Sequence, residues 1–166
     1  MTVSLEPARE ADAAAIAALR HAVVRELTAR FGTGTWTFAS DSEGGARGEI
    51  LSGGVYLARD EGVVVATLRL SPRSPWPIDL RFFTAGPRPL YLTSMAVAPR
   101  KQRQGIGRAC LDAARDIAVA ARHDAIRLDS YDAKAGAGEF YRKCGFREVR
   151  REHYNGTPLI WFEWAA

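Results

Sequence analysis

The sequence predicts a single α/β domain built on a mixed central β-sheet with helices on both faces. Three observations predict it. Short β-rich apolar runs alternate with segments of helical period along the whole of a 166-residue chain. A strand, a basic loop, a helix and another strand follow one another between Leu90 and Asp129. Hairpin signals stand at Asp60-Glu61-Gly62 and Asn155-Gly156, and no repeat, low-complexity tract or interdomain linker interrupts the pattern.

Taken in order, Val3-Ser4-Leu5 reads as a short opening strand. Asp12 is placed to cap a helix whose stripe is Ala15-Ile16, Leu19, Val23 and Leu27, ending near Phe31-Gly32. Gly32 to Ala39 is turn-rich and holds Trp36 and Phe38. Glu43 to Leu51 reads as a short helix in spite of its glycines. Val55–Arg59 and Val63–Leu70 form a hairpin. Ser71 to Pro89 carries five prolines together with Trp76, Phe82 and Phe83. Such a loop covers a substrate pocket or closes one end of the core. Leu90 to Val97 has the composition of a buried strand, and Pro99 ends it. From Ile106 the period turns helical, with Ile106, Cys110, Ala113, Ile117 and Ala121 on one face. A strand at Ala125–Asp129, a helix at Gly138–Lys143, a strand at Phe146–Arg151 and a last strand through Leu159–Phe162 complete the chain.

Size and charge bound the function. One domain of this length buries a sizeable core. No apolar run approaches the ~20 residues that cross a bilayer, and Met1 to Glu6 has no basic-then-apolar leader. Cys110 and Cys144 form no disulfide framework and read as free thiols, which places the protein in the cytoplasm. The net charge is +4, and its position is informative: residues 98–151 hold 13 basic and 7 acidic side chains, whereas residues 1–97 are balanced. A polyanion is the natural partner of that half.

The candidate site is Arg100, Lys101 and Arg103 followed by Gly105-Ile106-Gly107-Arg108 at a helix start. Unpaired first-turn amides, glycines that permit close approach and surrounding cations make an anion site, best suited to phosphates. An ordinary turn with a solvated basic face has the same composition. A dinucleotide fingerprint fits less well, because the third glycine is missing and a charged loop separates strand from glycines, although Asp129 stands at a suitable distance for a ribose-binding acid. Nucleic acid calls for aromatics interleaved with the arginines, and the helix after Gly107 offers alanine and isoleucine instead.

Gln102-Arg103-Gln104-Gly105-Ile106-Gly107 resembles the [RQ]-x-x-G-x-[GA] loop of the GNAT superfamily, the acetyl-coenzyme A-dependent N-acetyltransferases. Met95-Ala96-Val97-Ala98-Pro99 is similar to the end of the family's fourth strand. Downstream, Phe140-Tyr141-Arg142-Lys143-Cys144-Gly145-Phe146 is similar to its F-Y-x-x-x-G-F segment. The resemblance spans most of the chain and is best after Leu90. It implies one N-acetyltransferase domain over residues 1–166 that moves an acetyl group from acetyl-coenzyme A to a primary amine in a ternary complex. It also implies that the backbone of Met95, Ala96 and Val97 pairs with the pantetheine arm, and that Arg103, Gln104, Gly105, Ile106, Gly107 and Arg108 wrap the diphosphate. Gln102 fills the first motif position, where arginine is also common.

Tyr141 occupies the position of the family's general acid. A phenol of pKa ~10 stays protonated at neutral pH and serves a departing thiolate of thiol pKa ~8.5. In the same place an aromatic packs beside Phe140. Two departures stand out. Lys134 replaces an asparagine that contacts the cofactor arm, beside the small run Ala135-Gly136-Ala137-Gly138. The fourth strand also ends without a carboxylate to act as base, which leaves Asp129, Asp132 and His153. No metal ligands are expected. A non-catalytic acyl-coenzyme A sensor and a basic nucleic-acid module are the alternatives. The acceptor is an unspecified small-molecule, peptide or protein amine, and Trp161-Phe162-Glu163-Trp164 is compatible with a homodimer.

Overall fold

A computed structural model describes residues 3–34, 36, 41–84 and 86–166. Its strands are β1 (Glu6–Pro7), β2 (Val55–Asp60), β3 (Val63–Ser71), β4 (Pro89–Val97), β5 (Ala125–Tyr131), β6 (Arg147–Tyr154) and β7 (Thr157–Ala165). The helices are α1 (Ala13–Phe31), α2 (Glu43–Ser52), α3 (Ile106–Ala120) and α4 (Gly138–Lys143). One seven-stranded sheet runs in the order β1-β2-β3-β4-β5-β7-β6. β4 and β5 are parallel, while β1/β2, β2/β3, β5/β7 and β6/β7 are antiparallel, so the sheet is mixed as expected.

The chain divides into two compact units, Met1–Leu70 with Ser94–Ala114, and Ser71–Thr93 with Arg115–Ala166. In the first, Ile16, Leu19 and Val23 of α1 pack with Val55, Leu57, Val64 and Ala96. Each such side chain contributes about 1.5–3 kcal/mol on full burial. Glu61 and Gly62, both left-handed at φ +49° and +82°, turn β2 into β3. In the second, Trp76 and Phe83 pack with Tyr91, Leu159 and Trp161. The proline-rich segment therefore closes this core with its aromatics. Asn155 and Gly156, at φ +48° and +78°, make the tight turn between β6 and β7.

Four expectations need correction. The opening strand lies at Glu6–Pro7, not at Val3–Leu5, because the register pairs Glu6 with Leu57 and Pro7 with Tyr56. Asp12 sits at the α1 boundary but does not cap it; its carboxylate accepts from the Arg9 amide at 2.8 Å and from Arg59 at 2.5 Å. Ala15 is exposed, and the buried α1 face is Ala13, Ile16, Ala17, Leu19, Arg20 and Val23. The α3 face is turned as well. Ile106, Cys110, Leu111, Ala114 and Ala118 are buried, Ala113 and Ile117 are only half-buried, and Ala121 lies beyond the helix and is exposed. Half of the expected turn region Gly32–Ala39 falls outside the described residues, Phe38 with it.

Candidate active site

The residues singled out from the sequence fall in two clusters, one in each unit. The first is the loop between β4 and α3. Pro99 ends the strand, and Pro99–Lys101 forms one 3-10 turn. Arg103 and Gly105 then adopt left-handed conformations, φ +60° and +84°, which carry the chain to Ile106 at the helix start. The space around Gly105 is open, with no atom within 4 Å of where a Cβ would stand. The first intrahelical bond here runs from the Ala109 amide to the Gly105 carbonyl at 3.0 Å. The amides of Ile106 and Gly107 therefore stand at the helix start, ahead of this bond.

Side chains hold this loop rather than extend from it. The Gln102 amide donates to the Val97 carbonyl at 3.1 Å, and the Gln104 amide to the Arg100 carbonyl at 2.9 Å. Lys101 is ion-paired with Asp60 at 2.6 Å, which raises its pKa. Part of the basic charge read from the sequence is thus neutralised within the unit. Arg100 and Arg103 of this loop are exposed.

Just upstream, Ser94 of β4 is left-handed at φ +53°. Its hydroxyl donates to Glu49 of α2 at 3.0 Å, and the other oxygen of that carboxylate lies 2.6 Å from the wholly buried Arg20 of α1. The residue pattern held one signal of this arrangement: Arg20 is the only charge on an otherwise apolar helix face.

The second cluster surrounds β5 and α4. Tyr141 is buried, with ring centroids of Phe140, Phe146 and Phe162 at 5.3, 5.8 and 5.8 Å. The aromatic-packing role expected as an alternative is real. Burial first, then the charges of Asp129 and Cys144, push the Tyr141 phenol well above its ordinary value. It therefore stays protonated across the physiological range. Asp129, on β5, is pushed up from 3.8 to about 6 by burial, against the opposing hydrogen bond from Trp76.

The other candidate bases separate from this pair. Asp132 is engaged by Arg151 at 3.0 Å, and His153 is exposed on β6. Lys134 is exposed too. The small run beside it answers the chain's own geometry: a Cβ on Gly136 would stand 1.7 Å from the Tyr131 carbonyl oxygen, and one on Gly138 3.3 Å from Ile160. Both cysteines are free and buried; burial pushes the Cys110 thiol up to about 11, which leaves it inert. No His/Cys/Asp/Glu group able to hold a metal occurs among the described residues. Nor is any described helix long and apolar enough to cross a membrane.

Known structures share this architecture. A GCN5-related N-acetyltransferase from Rhodopseudomonas palustris is similar at TM-score 0.75 and 23% identity, over 100% of this chain and 97% of that one. A GNAT-family acetyltransferase from Listeria monocytogenes gives 0.77 and 18%, over 99% and 95%. The PaiA N-acetyltransferase from Thermoplasma acidophilum, solved in complex with coenzyme A, gives 0.75 and 15%, over 100% of both chains. At these identities the likeness is one of fold. No curated protein matches the chain. The profile of the acetyltransferase (GNAT) family matches residues 21–146, a span that takes in the kinked strand, the glycine loop and the tyrosine helix. The chain belongs to the GNAT family, acyltransferases whose donor is acetyl-coenzyme A.

Proposed function

We propose that residues 1–166 act as one N-acetyltransferase domain that transfers acetyl from acetyl-coenzyme A to a primary amine of a small molecule, peptide or protein, by direct attack in a ternary complex. The observation that carries this reading is the left-handed pair Arg103 and Gly105, which brings the chain to α3 with open space around the glycine. In this reading the amides of Gly105 to Arg108 bind the diphosphate, Arg103 adds charge, and Gln102 and Gln104 keep the loop in shape. The backbone of Met95, Ala96 and Val97 takes the pantetheine arm.

The chemistry balances with two proton steps. The neutral amine attacks the thioester carbonyl; the new C–N bond forms and the C–S bond breaks as the tetrahedral intermediate collapses. The proton that the amine loses passes through intervening water to Asp129. A carboxyl near 6 is ionised for most of the time at pH 7 and is a stronger base than an ordinary one. Tyr141 donates its proton or hydrogen bond to the leaving thiolate. The acceptor amine, ordinarily near pKa ~10.4, must be neutral when it attacks, so a base of this kind is required. Two buried free thiols suit a reducing cytoplasm.

Titration of the full chain with coenzyme A by calorimetry tests the proposal. Binding is expected, with a raised melting temperature, and Gly105→Val is expected to weaken it, because a β-branched residue at φ +84° is strained and crowds the open space. Tight oligonucleotide binding with indifference to coenzyme A would refute the reading.

A further inference from the structure

We propose that the buried Arg20–Glu49 pair is a positioning device for the donor-binding strand: through Ser94 it holds β4 in the left-handed turn from which Met95, Ala96 and Val97 continue. The inference rests on the reading above that these three residues carry the pantetheine arm.

Five non-glycine residues have positive φ among the described ones. Glu61, Arg103, Arg122 and Asn155 lie in turns or loops, where such backbone is ordinary; Ser94 alone lies inside a strand. An L-residue there is strained and persists only where its surroundings over-determine it. The determinant is visible. The Ser94 hydroxyl donates to Glu49 Oε1 at 3.0 Å, a charge-assisted bond that a chain in ordinary β conformation would aim elsewhere. Glu49 Oε2 is fixed at 2.6 Å by Arg20, whose side chain is wholly buried in the α1 stripe beside Ile16, Leu19 and Val23. An ion pair in that position is a poor source of stability compared with packed apolar residues. Its work is orientation: one carboxylate takes its direction from the helix and imposes it on the strand. The turn then sets where the next three backbone amides point.

Ser94→Ala and Ser94→Gly separate tether from strain. Alanine deletes the hydroxyl but keeps the Cβ that disfavours φ +53°, whereas glycine adopts that φ without penalty. With acetyl-coenzyme A as the calorimetric probe, S94A is expected to bind about tenfold more weakly than wild type, and S94G within about threefold of it. The double variant Arg20→Met/Glu49→Leu, which keeps volume and removes both charges, is expected to melt close to wild type yet bind as weakly as S94A; adding S94G should restore affinity. Wild type that fails to bind acetyl-coenzyme A would overturn the donor-site reading and this inference with it. Wild-type binding with S94A unchanged would overturn the inference alone. So would equal losses in S94A and S94G, since the hydroxyl would then be touching the ligand itself.

Discussion

Replacing Tyr141 by phenylalanine removes a single oxygen from a ring held by Phe140, Phe146 and Phe162. The apolar contacts survive, so the stability change should stay within about 1 kcal/mol, a shift of roughly 2–4 °C for a chain of this size. The kinetic effect is larger and can be bounded. General acid catalysis is worth ~10²–10⁴-fold in rate. Burial and the neighbouring charge of Asp129 push this phenol above its ordinary value, so proton transfer to a thiolate of thiol pKa ~8.5 is more uphill than from a free phenol. The contribution therefore belongs at or just below the lower limit of that range, about 10–100-fold in kcat, or about 1.4–2.7 kcal/mol of barrier. Release of free thiol from acetyl-coenzyme A across a panel of amines measures kcat, and calorimetry measures donor affinity. Turnover should fall while affinity holds. Equal turnover in the variant would remove the acid role, and a parallel loss of affinity would make Tyr141 a binding residue.

The remaining predictions concern the same unit. Asp129→Asn should lower the rate and abolish its rise with pH through about 6; an unaltered pH profile would exclude Asp129 as the base. The same substitution should stabilise the fold at neutral pH. The folded-state value lies above the unfolded 3.8, so wild-type stability is lost as pH climbs from about 4 to about 6 and then levels. Asparagine escapes that loss, and melts should coincide near pH 3.5 and differ by about 2–3 kcal/mol at pH 7.5; a gap that opens on acidification instead would contradict the assignment. Glu163→Gln should cost about 3–5 kcal/mol, because it leaves Arg127 buried without its countercharge at 3.1 Å. Denaturant melts showing less than about 1 kcal/mol would mean that the surrounding bonds to Tyr91, Gly86 and the Phe83 ring suffice to hold the guanidinium.

What the residues disclosed follows their physics. The hairpins at Glu61-Gly62 and Asn155-Gly156, and α4 at Gly138–Lys143, were legible because turn chemistry and short apolar runs are local signals. The α3 face was misread because Leu111, Ala114 and Ala118 are as apolar as Ala113 and Ile117, and only packing decides among them. The place of the glycine loop between a strand and a helix was legible, but its electrostatics were not. Lys101 pairs with Asp60 from 41 residues away, and the two glutamine amides turn inward to Val97 and Arg100. Asp12 looked like a cap because it precedes a helix; a partner 47 residues away, Arg59, holds it instead. The Arg20–Glu49–Ser94 chain joins three distant elements, and no spacing rule reaches across them.

The strand period of β5 gives the proposed proton steps their separation. Arg127 and Asp129 stand in register with Glu163 and Trp161, on the face where Trp76 lies 6.1 Å from Trp161 and Phe83 lies under Arg127. Leu128 and Ser130 alternate to the other face, with Phe162 and Ile160, where Tyr141 packs on Phe162 and the Ser130 hydroxyl accepts from the Ala137 amide at 3.0 Å. A base and an acid on opposite faces of one strand are kept from exchanging a proton directly, yet ionised Asp129 still helps hold the proton on Tyr141. Burial thus makes the carboxyl a better base and the phenol a permanent donor by the same desolvation. On the proposed reading, the amine nitrogen and the departing sulfur share one carbonyl carbon, so the Tyr141 face meets the reacting atoms directly and Asp129 acts through water. A substitution that opened the Asp129 face to water should relieve the desolvation of that group, and a titration of Asp129 by NMR in a Trp76→Ala variant is the direct check: loss of burial, the larger effect, moves it from about 6 toward 3.8, and loss of the Trp76 hydrogen bond offsets part of that fall.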